Sequence, residues 1–301
     1  MKDKIAVLGG DLRQYAAALE LDRKNWEVSL WGLETADERK GQIKCCETYK
    51  NAVDGAMAVV LPLPASVDGI LLNCPFSSKR ENIKLSELID AVDVDCTIIG
   101  GRLPKETVDR ANRRGLVVKD YFESEEFQIQ NAYITAEAAL SIAMNSLDKN
   151  IRGSRIAITG YGRIAKHLIK LLLSMGADIT VAARKGSDLE WAASDGCSVL
   201  QIGDTDPMRK NIYELAYGYD VIYNTVPYRL FDKEFLVSVD RNTFIIDLAS
   251  VPGGVDIIAA KEIGANVLWA TSLPGKYAPV SAGELIAHCV DNILKSEVIG
   301  T

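Results

Sequence analysis

Short apolar runs, each bounded by glycine, proline or charge, alternate along this chain with longer stretches whose apolar residues recur at helical spacing. Continuous apolar runs of strand length, rather than alternating ones, mark strands buried on both faces, and intervening helices make the sheet parallel. The pattern predicts strands at residues 4–8, 27–30, 56–61, 96–99 and 116–118, then a second series at 155–159, 179–183, 199–202, 221–224, 244–248 and 267–269. Six strands in the second series complete a dinucleotide-binding sheet. The acidic and aromatic stretch 120–131 reads as a loop that breaks the alternation, and strong helix formers resume over 132–147. A last helix, 282–295, has no strand after it and is expected to run back to the first half.

The fold expected is therefore α/β: two Rossmann-like, doubly wound parallel-sheet domains with an interdomain cleft. Residues 1–130 would form a substrate-binding Rossmann or flavodoxin-like domain closed by the C-terminal helix 281–297. Residues 131–150 would form an interdomain helix, and 151–280 an NADP-binding Rossmann domain.

The stretch "RIAITGYGRIAKHL" (155–168) joins a predicted strand to a predicted helix through two glycines. GxGxxG alone is weak, but strand, turn, helix and second strand in that order fit a pyrophosphate turn. Gly160 permits the tight turn, Gly162 lets backbone approach the anion, and Ala165 takes the third small position. The amides that open the helix, at Arg163 and Ile164, face the phosphates with the helix dipole behind them. An NAD site normally ends its next strand on a carboxylate; here Arg184 and Lys185 stand there, suited to the 2′-phosphate of NADP(H), with Asp188 a few residues on. Two later strand ends supply candidate ring contacts, Asn224, Thr225, Val226 and Pro227, and then Ala249, Ser250, Gly253 and Gly254.

Composition narrows the rest. With 48% hydrophobic and 25% charged residues among 301, the chain is an ordinary globular one of two-domain length. A net charge of −7 and a pI near 5.1 argue against a nucleic-acid surface. Six scattered cysteines without a CxxC, and two histidines, make no metal set and fit a reducing cytoplasm. The opening "MKDKIAVLGG" reads as a first strand rather than a leader, and no apolar run is long enough to span a membrane.

Several motifs together carry a resemblance: "VLGGDLRQ", "LPLP", "IIGG", "ITAEAAL", "GYGRIAKHL", "NTVP", "IDLASVPGGVD" and "LPGKYAPVSAGE". They resemble the A subunit of dipicolinate synthase, and two of them are similar to the cofactor domain of alanine dehydrogenase. The resemblance implies NADP-dependent dehydrogenation of dihydrodipicolinate, formed from a 4-hydroxy-tetrahydrodipicolinate precursor, to dipicolinate during sporulation. It further implies a mother-cell cytoplasmic location and a partner, the flavoprotein-like B subunit of the synthase, and leaves room for a homo-oligomer. A planar dianion needs donors at both carboxylates. Arg13 at the first glycine turn, Thr135 at the start of the hinge helix, and Ser281 and Ala282 at the start of the last helix are the expected substrate contacts. Glu137 is the candidate base, with helix-end placement as the equal alternative, and Lys276 the candidate partner of the second carboxylate. Arg102 and Arg229 are held in reserve, and His167 and His288 read as packed residues. Two rival readings stand: an NAD(P)-dependent dehydrogenase or reductase of another small keto or amino acid, and a non-catalytic NADP-sensing module.

Overall fold

The structure is a computed structural model, and it describes residues 3–34, 43–77, 82–203, 205 and 211–299. The chain divides into two compact units, Met1–Asn131 with Pro274–Thr301, and Ala132–Leu273.

In the first unit β1 (Lys4–Leu8), β2 (Glu27–Trp31), β3 (Lys44–Cys45), β4 (Ala58–Val60), β5 (Thr97–Gly100) and β6 (Val117–Asp120) form one parallel sheet in the order β3-β2-β1-β4-β5-β6. Helices α1 (Leu12–Arg23), α2 (Tyr49–Val53), α3 (Leu85–Ala91) and α4 (Lys105–Arg113) make the crossovers. The central strands are buried along almost their full length, which is why their sequences are unbroken runs of Val, Ile, Leu and Ala. Helix α5 (Glu125–Ser146) contains the boundary between the units.

The second unit repeats the plan. Strands β7 (Arg155–Thr159), β8 (Asp178–Ala183), β9 (Ser198–Gln201), β10 (Val221–Asn224), β11 (Phe244–Asp247) and β12 (Val267–Trp269) are parallel in the order β12-β11-β10-β7-β8-β9. Their helices include α6 (Arg163–Ser174), α7 (Gly186–Ser194), α8 (Lys233–Ser238) and α9 (Ile257–Ile263). In both sheets the winding reverses between the first and fourth strands, β1 and β4 or β7 and β10. That reversal is the crevice where ligands of such sheets bind. The chain then forms α10 (Leu273–Tyr277) and α11 (Pro279–Ile299).

Helix α11 packs on α1 at very short range. A Cβ on Gly283 would lie 2.5 Å from both Ala16 Cβ and the Arg13 carbonyl oxygen, so only glycine admits the contact. The buried Asp291 on α11 accepts from the Trp26 indole at 3.0 Å and pairs with Lys295 at 2.9 Å.

Three expectations need correction. Stretch 120–131 is not a loop: after a single 3-10 turn, Tyr121–Glu123, α5 begins at Glu125. Its start has the proper chemistry, with the Ser124 hydroxyl accepting from the Phe127 amide at 3.4 Å and two glutamates in the first turn. The aromatic residues that suggest a loop are buried, Tyr121 and Phe127 packing ring to ring. The two-residue edge strand β3 is absent from the predicted pattern, being too short to carry a period. The last helix starts at Pro279, ahead of 282, with proline in the first turn where its missing N–H costs nothing.

Candidate functional site

Two glycine turns end the first strands of the two sheets, and their surroundings differ. In the second unit Gly160 has φ +85°, and a Cβ there would lie 2.7 Å from Thr225 Oγ1 and 2.9 Å from Val226 Cγ2. Gly162 stands immediately before α6, and among the described residues, its chain neighbours aside, none comes within 4 Å of the place its Cβ would take. The helix therefore begins on open space with no side chain capping it, the arrangement a phosphate group can complete. Arg163 is exposed in the first turn, Ile164 turns partly into the core, and Ala165 is fully buried.

The first unit's turn is closed by its own residues. A Cβ on Gly9 would lie 2.7 Å from the Asn73 carbonyl oxygen, and the Gly10 amide donates to that oxygen at 2.8 Å. Asp11 caps α1 by accepting from the Arg13 amide at 3.0 Å. The Arg13 guanidinium returns to the same carboxylate, Nε to Oδ1 at 2.9 Å and Nη2 to Oδ2 at 2.7 Å, and Nη2 also donates to the Leu63 carbonyl at 2.6 Å. Arg13 is 8% exposed, not a surface residue, and its charge is matched by Asp11, a partner the sequence reading missed. Among the described residues none accepts from its Nη1. Helix α10 lies over this pair, since a Cβ on Gly275 would stand 2.9 Å from Arg13 Nε and 3.0 Å from Asp11 Oδ2. The exposed Lys276 follows Gly275 in the same short helix. Ser281 is exposed in the first turn of α11. Ala282 is corrected: its amide already donates to the Ala278 carbonyl at 3.0 Å and is not open to an anion.

Thr135 and Glu137 are also corrected. They lie in the middle of α5, so Thr135 caps nothing and Glu137 gains nothing from a helix end. Thr135 is buried, while Glu137 is exposed and accepts a hydrogen bond from the Tyr133 hydroxyl one turn earlier. That bond, with the carboxylate's charge, raises the Tyr133 pKa. The Tyr133 ring meets His167 of α6 edge-on, 5.4 Å between centroids.

Arg184 and Lys185 follow β8, both exposed, and Lys185 precedes α7, whose start has no side-chain cap. Asp188 sits in the first turn of α7. Thr225 and Val226 are half-buried beside Gly160, and Pro227 and Ser250 are exposed on the same strand-end loops. Asn224 is no ring contact. It is fully buried, accepting from Thr159 Oγ1 at 2.5 Å and donating to Asp247 at 2.7 Å. Of the reserve candidates, Arg102 stacks over Phe122, 4.4 Å from its centroid, and the exposed Arg229 pairs with Asp256 at 3.4 Å. His288 is exposed rather than packed.

No cluster of metal-ligating side chains occurs among the described residues, and no described helix is long and apolar enough to cross a membrane. Burial pushes the thiols of Cys96, Cys197 and Cys289 up to about 12, 11 and 11, so none of the three is a thiolate nucleophile near neutrality.

Residues 4–122 match the family described as the N-terminal domain of the A subunit of dipicolinate synthase. The chain is 29% identical over 296 residues to the A subunit of dipicolinate synthase from Bacillus subtilis (strain 168), across 97% of this chain and 95% of that one. The crystal structure of the dipicolinate synthase A chain from Bacillus subtilis superposes with a TM-score of 0.83 at 26% identity, over 100% of this chain and 98% of the other. An L-alanine dehydrogenase, 13% identical with a TM-score of 0.62 over 97% and 88% of the two chains, shares the fold.

Proposed function

We propose that this chain, similar along nearly its whole length to the A subunit of dipicolinate synthase, is an NADP-dependent dehydrogenase converting dihydrodipicolinate to dipicolinate. The observation that carries the reading is the contrast between the turns: Gly160–Gly162 opens on an uncapped helix at the sheet's reversal, whereas Gly9–Gly10 is filled by Asn73, Asp11 and Arg13. The first unit is read as holding substrate, the second as holding the dinucleotide.

A bound nicotinamide ring supplies a hydride acceptor. The chain's own residues do the rest. Gly162 and the amides of Arg163 and Ile164 receive the pyrophosphate. Arg184 and Lys185, with the start of α7, take the 2′-phosphate as paired donors and a point charge. Thr225, Val226, Pro227 and Ser250 border the ring. Arg13 Nη1, Lys276 and Ser281 bind carboxylate oxygens, Asp11 fixing the guanidinium so that little rotamer freedom is lost on binding. After the hydroxylated tetrahydro precursor loses water, the dihydro ring gives up one C–H hydride and one proton, and the product is aromatic. Glu137 is the proton acceptor. Because aromatisation drives the step, positioning supplies much of the rate and no nucleophile is required. The same similarity brings the synthase's B subunit in to complete the enzyme, and makes sporulation the setting.

The direct test follows NADP+ reduction at the NADPH absorbance band with 4-hydroxy-tetrahydrodipicolinate, with and without the B subunit. Turnover to dipicolinate is expected. NADP+ reduction with a simple amino acid instead, NADPH oxidation with a simple keto acid, or NADP+ binding without turnover of any substrate, would sink the assignment.

A further inference from the structure

The last residues of three neighbouring strands in the second unit are polar and fully buried: Thr159 of β7, Asn224 of β10 and Asp247 of β11. They are register partners, Asn224 opposite Thr159 on one side and Asp247 on the other. Each polar atom in this row is spent on backbone that leaves the sheet or on its neighbour in the row. Asn224 Oδ1 accepts from Thr159 Oγ1 at 2.5 Å and from the Val226 amide at 3.1 Å, and its Nδ2 donates to the Val226 carbonyl at 3.0 Å and to Asp247 Oδ1 at 2.7 Å. Asp247 then accepts from the amides of Ala249 at 3.1 Å, Gly254 at 2.8 Å and Val255 at 3.3 Å. The Thr159 carbonyl accepts from Thr225 Oγ1 at 2.7 Å. A Cβ on Gly254 would fall onto Asn224 Nδ2, so the glycine is required by the amide it covers.

A core carboxylate with four donors and, among the described residues, no cation is costly to assemble, and the strands already pair through their backbones without it. What it fixes is the position of residues 225–226 and 249–255, the two loops assigned above to the ring half of the dinucleotide. We propose that Thr159, Asn224 and Asp247 act as positioning residues, a buried clip that sets the two loops at the spacing a nicotinamide ring needs, with no part in binding the adenine half. The proposal rests on the dinucleotide reading of this unit.

The test uses calorimetric titration of the full-length protein with NADP+ and with adenosine 2′,5′-bisphosphate, which lacks the nicotinamide ring; NAD+ and AMP form a parallel pair without the 2′-phosphate. Asp247→Asn turns an amide N–H2 toward donors, and is expected to weaken NADP+ by about tenfold or more while changing the bisphosphate by less than about twofold. Thr159→Val, nearly isosteric, should weaken NADP+ alone by about threefold, and it decides the matter if Asp247→Asn does not fold by circular dichroism. Equal losses for both ligands, or no loss for NADP+, would overturn the clip's role. If the unmodified protein binds neither ligand of either pair, the dinucleotide reading itself fails, and the clip has no ring to position.

Discussion

Arg184 and Lys185 show how far single residues carry an argument. Two cations in place of the usual acidic residue after the second strand are visible in the sequence, and the structure puts both exposed just past β8, Lys185 directly before α7. If they hold the 2′-phosphate, Arg184→Ala should weaken NADPH by about tenfold or more and leave NADH nearly unchanged, since a charge-assisted bond contributes about 1.5–3 kcal/mol. Fluorescence titration of both reduced nucleotides checks this, and an equal loss would contradict the role. Other residues keep their place in the sequence but change their meaning in space. Arg13 is visible as a cation beside a glycine turn, yet its bond to Asp11 depends on a guanidinium folding back to its own helix cap, which spacing alone does not reveal. Thr135 has the chemistry of a cap, but the helix it would cap begins ten residues earlier, at Glu125.

Among elements, strands are far more legible than helix ends. Four of the predicted strands, at residues 4–8, 155–159, 221–224 and 267–269, have the observed limits; the first three are stopped by glycine or a polar residue, and the last is preceded by Asn266. Helix α5 is cut short in the sequence pattern because buried aromatic rings near its start resemble loop composition. The pairing of α11 with α1 and β2 shows what neither element reveals alone. Burial works against the charge of Asp291, but Lys295, Trp26 and Lys24 outweigh it and hold its pKa below the ordinary carboxylate value. A lowered folded pKa stabilises the protein above the unfolded value, near pH ~4, and this contribution drains away as the pH falls through the folded value. Asp291→Asn, which retains an acceptor for the indole, should flatten the acid side of a melting-temperature profile. Asp291→Ala should cost about 1–3 kcal/mol at neutral pH by leaving the Trp26 N–H without a partner. A profile for Asp291→Asn as steep as that of the unmodified protein would refute the linkage.

For the whole molecule, two sheets of one topology carry different jobs in the proposed function, and ligand-linked stability tests that division. NADP+ at about a hundred times its dissociation constant should add about 2.7 kcal/mol to the unit that binds it. In a thermal-shift series, dipicolinate added after NADP+ should raise the melting temperature again, whereas a cofactor-sensing module would ignore the dicarboxylate. The α/β class, the two series of parallel strands, and the glycine turn with its cations can all be read from the linear chain. These follow from local rules, burial of both sheet faces and the backbone freedom of glycine, that act over a few residues. Folding in three dimensions was needed to show which of two similar turns stands open, and that Thr159, Asn224 and Asp247, far apart in the chain, meet in one buried row. Each ends an apolar strand on a polar residue, a signal present in the sequence, but strand order and register make three separate endings into one network, and those are set by long-range pairing.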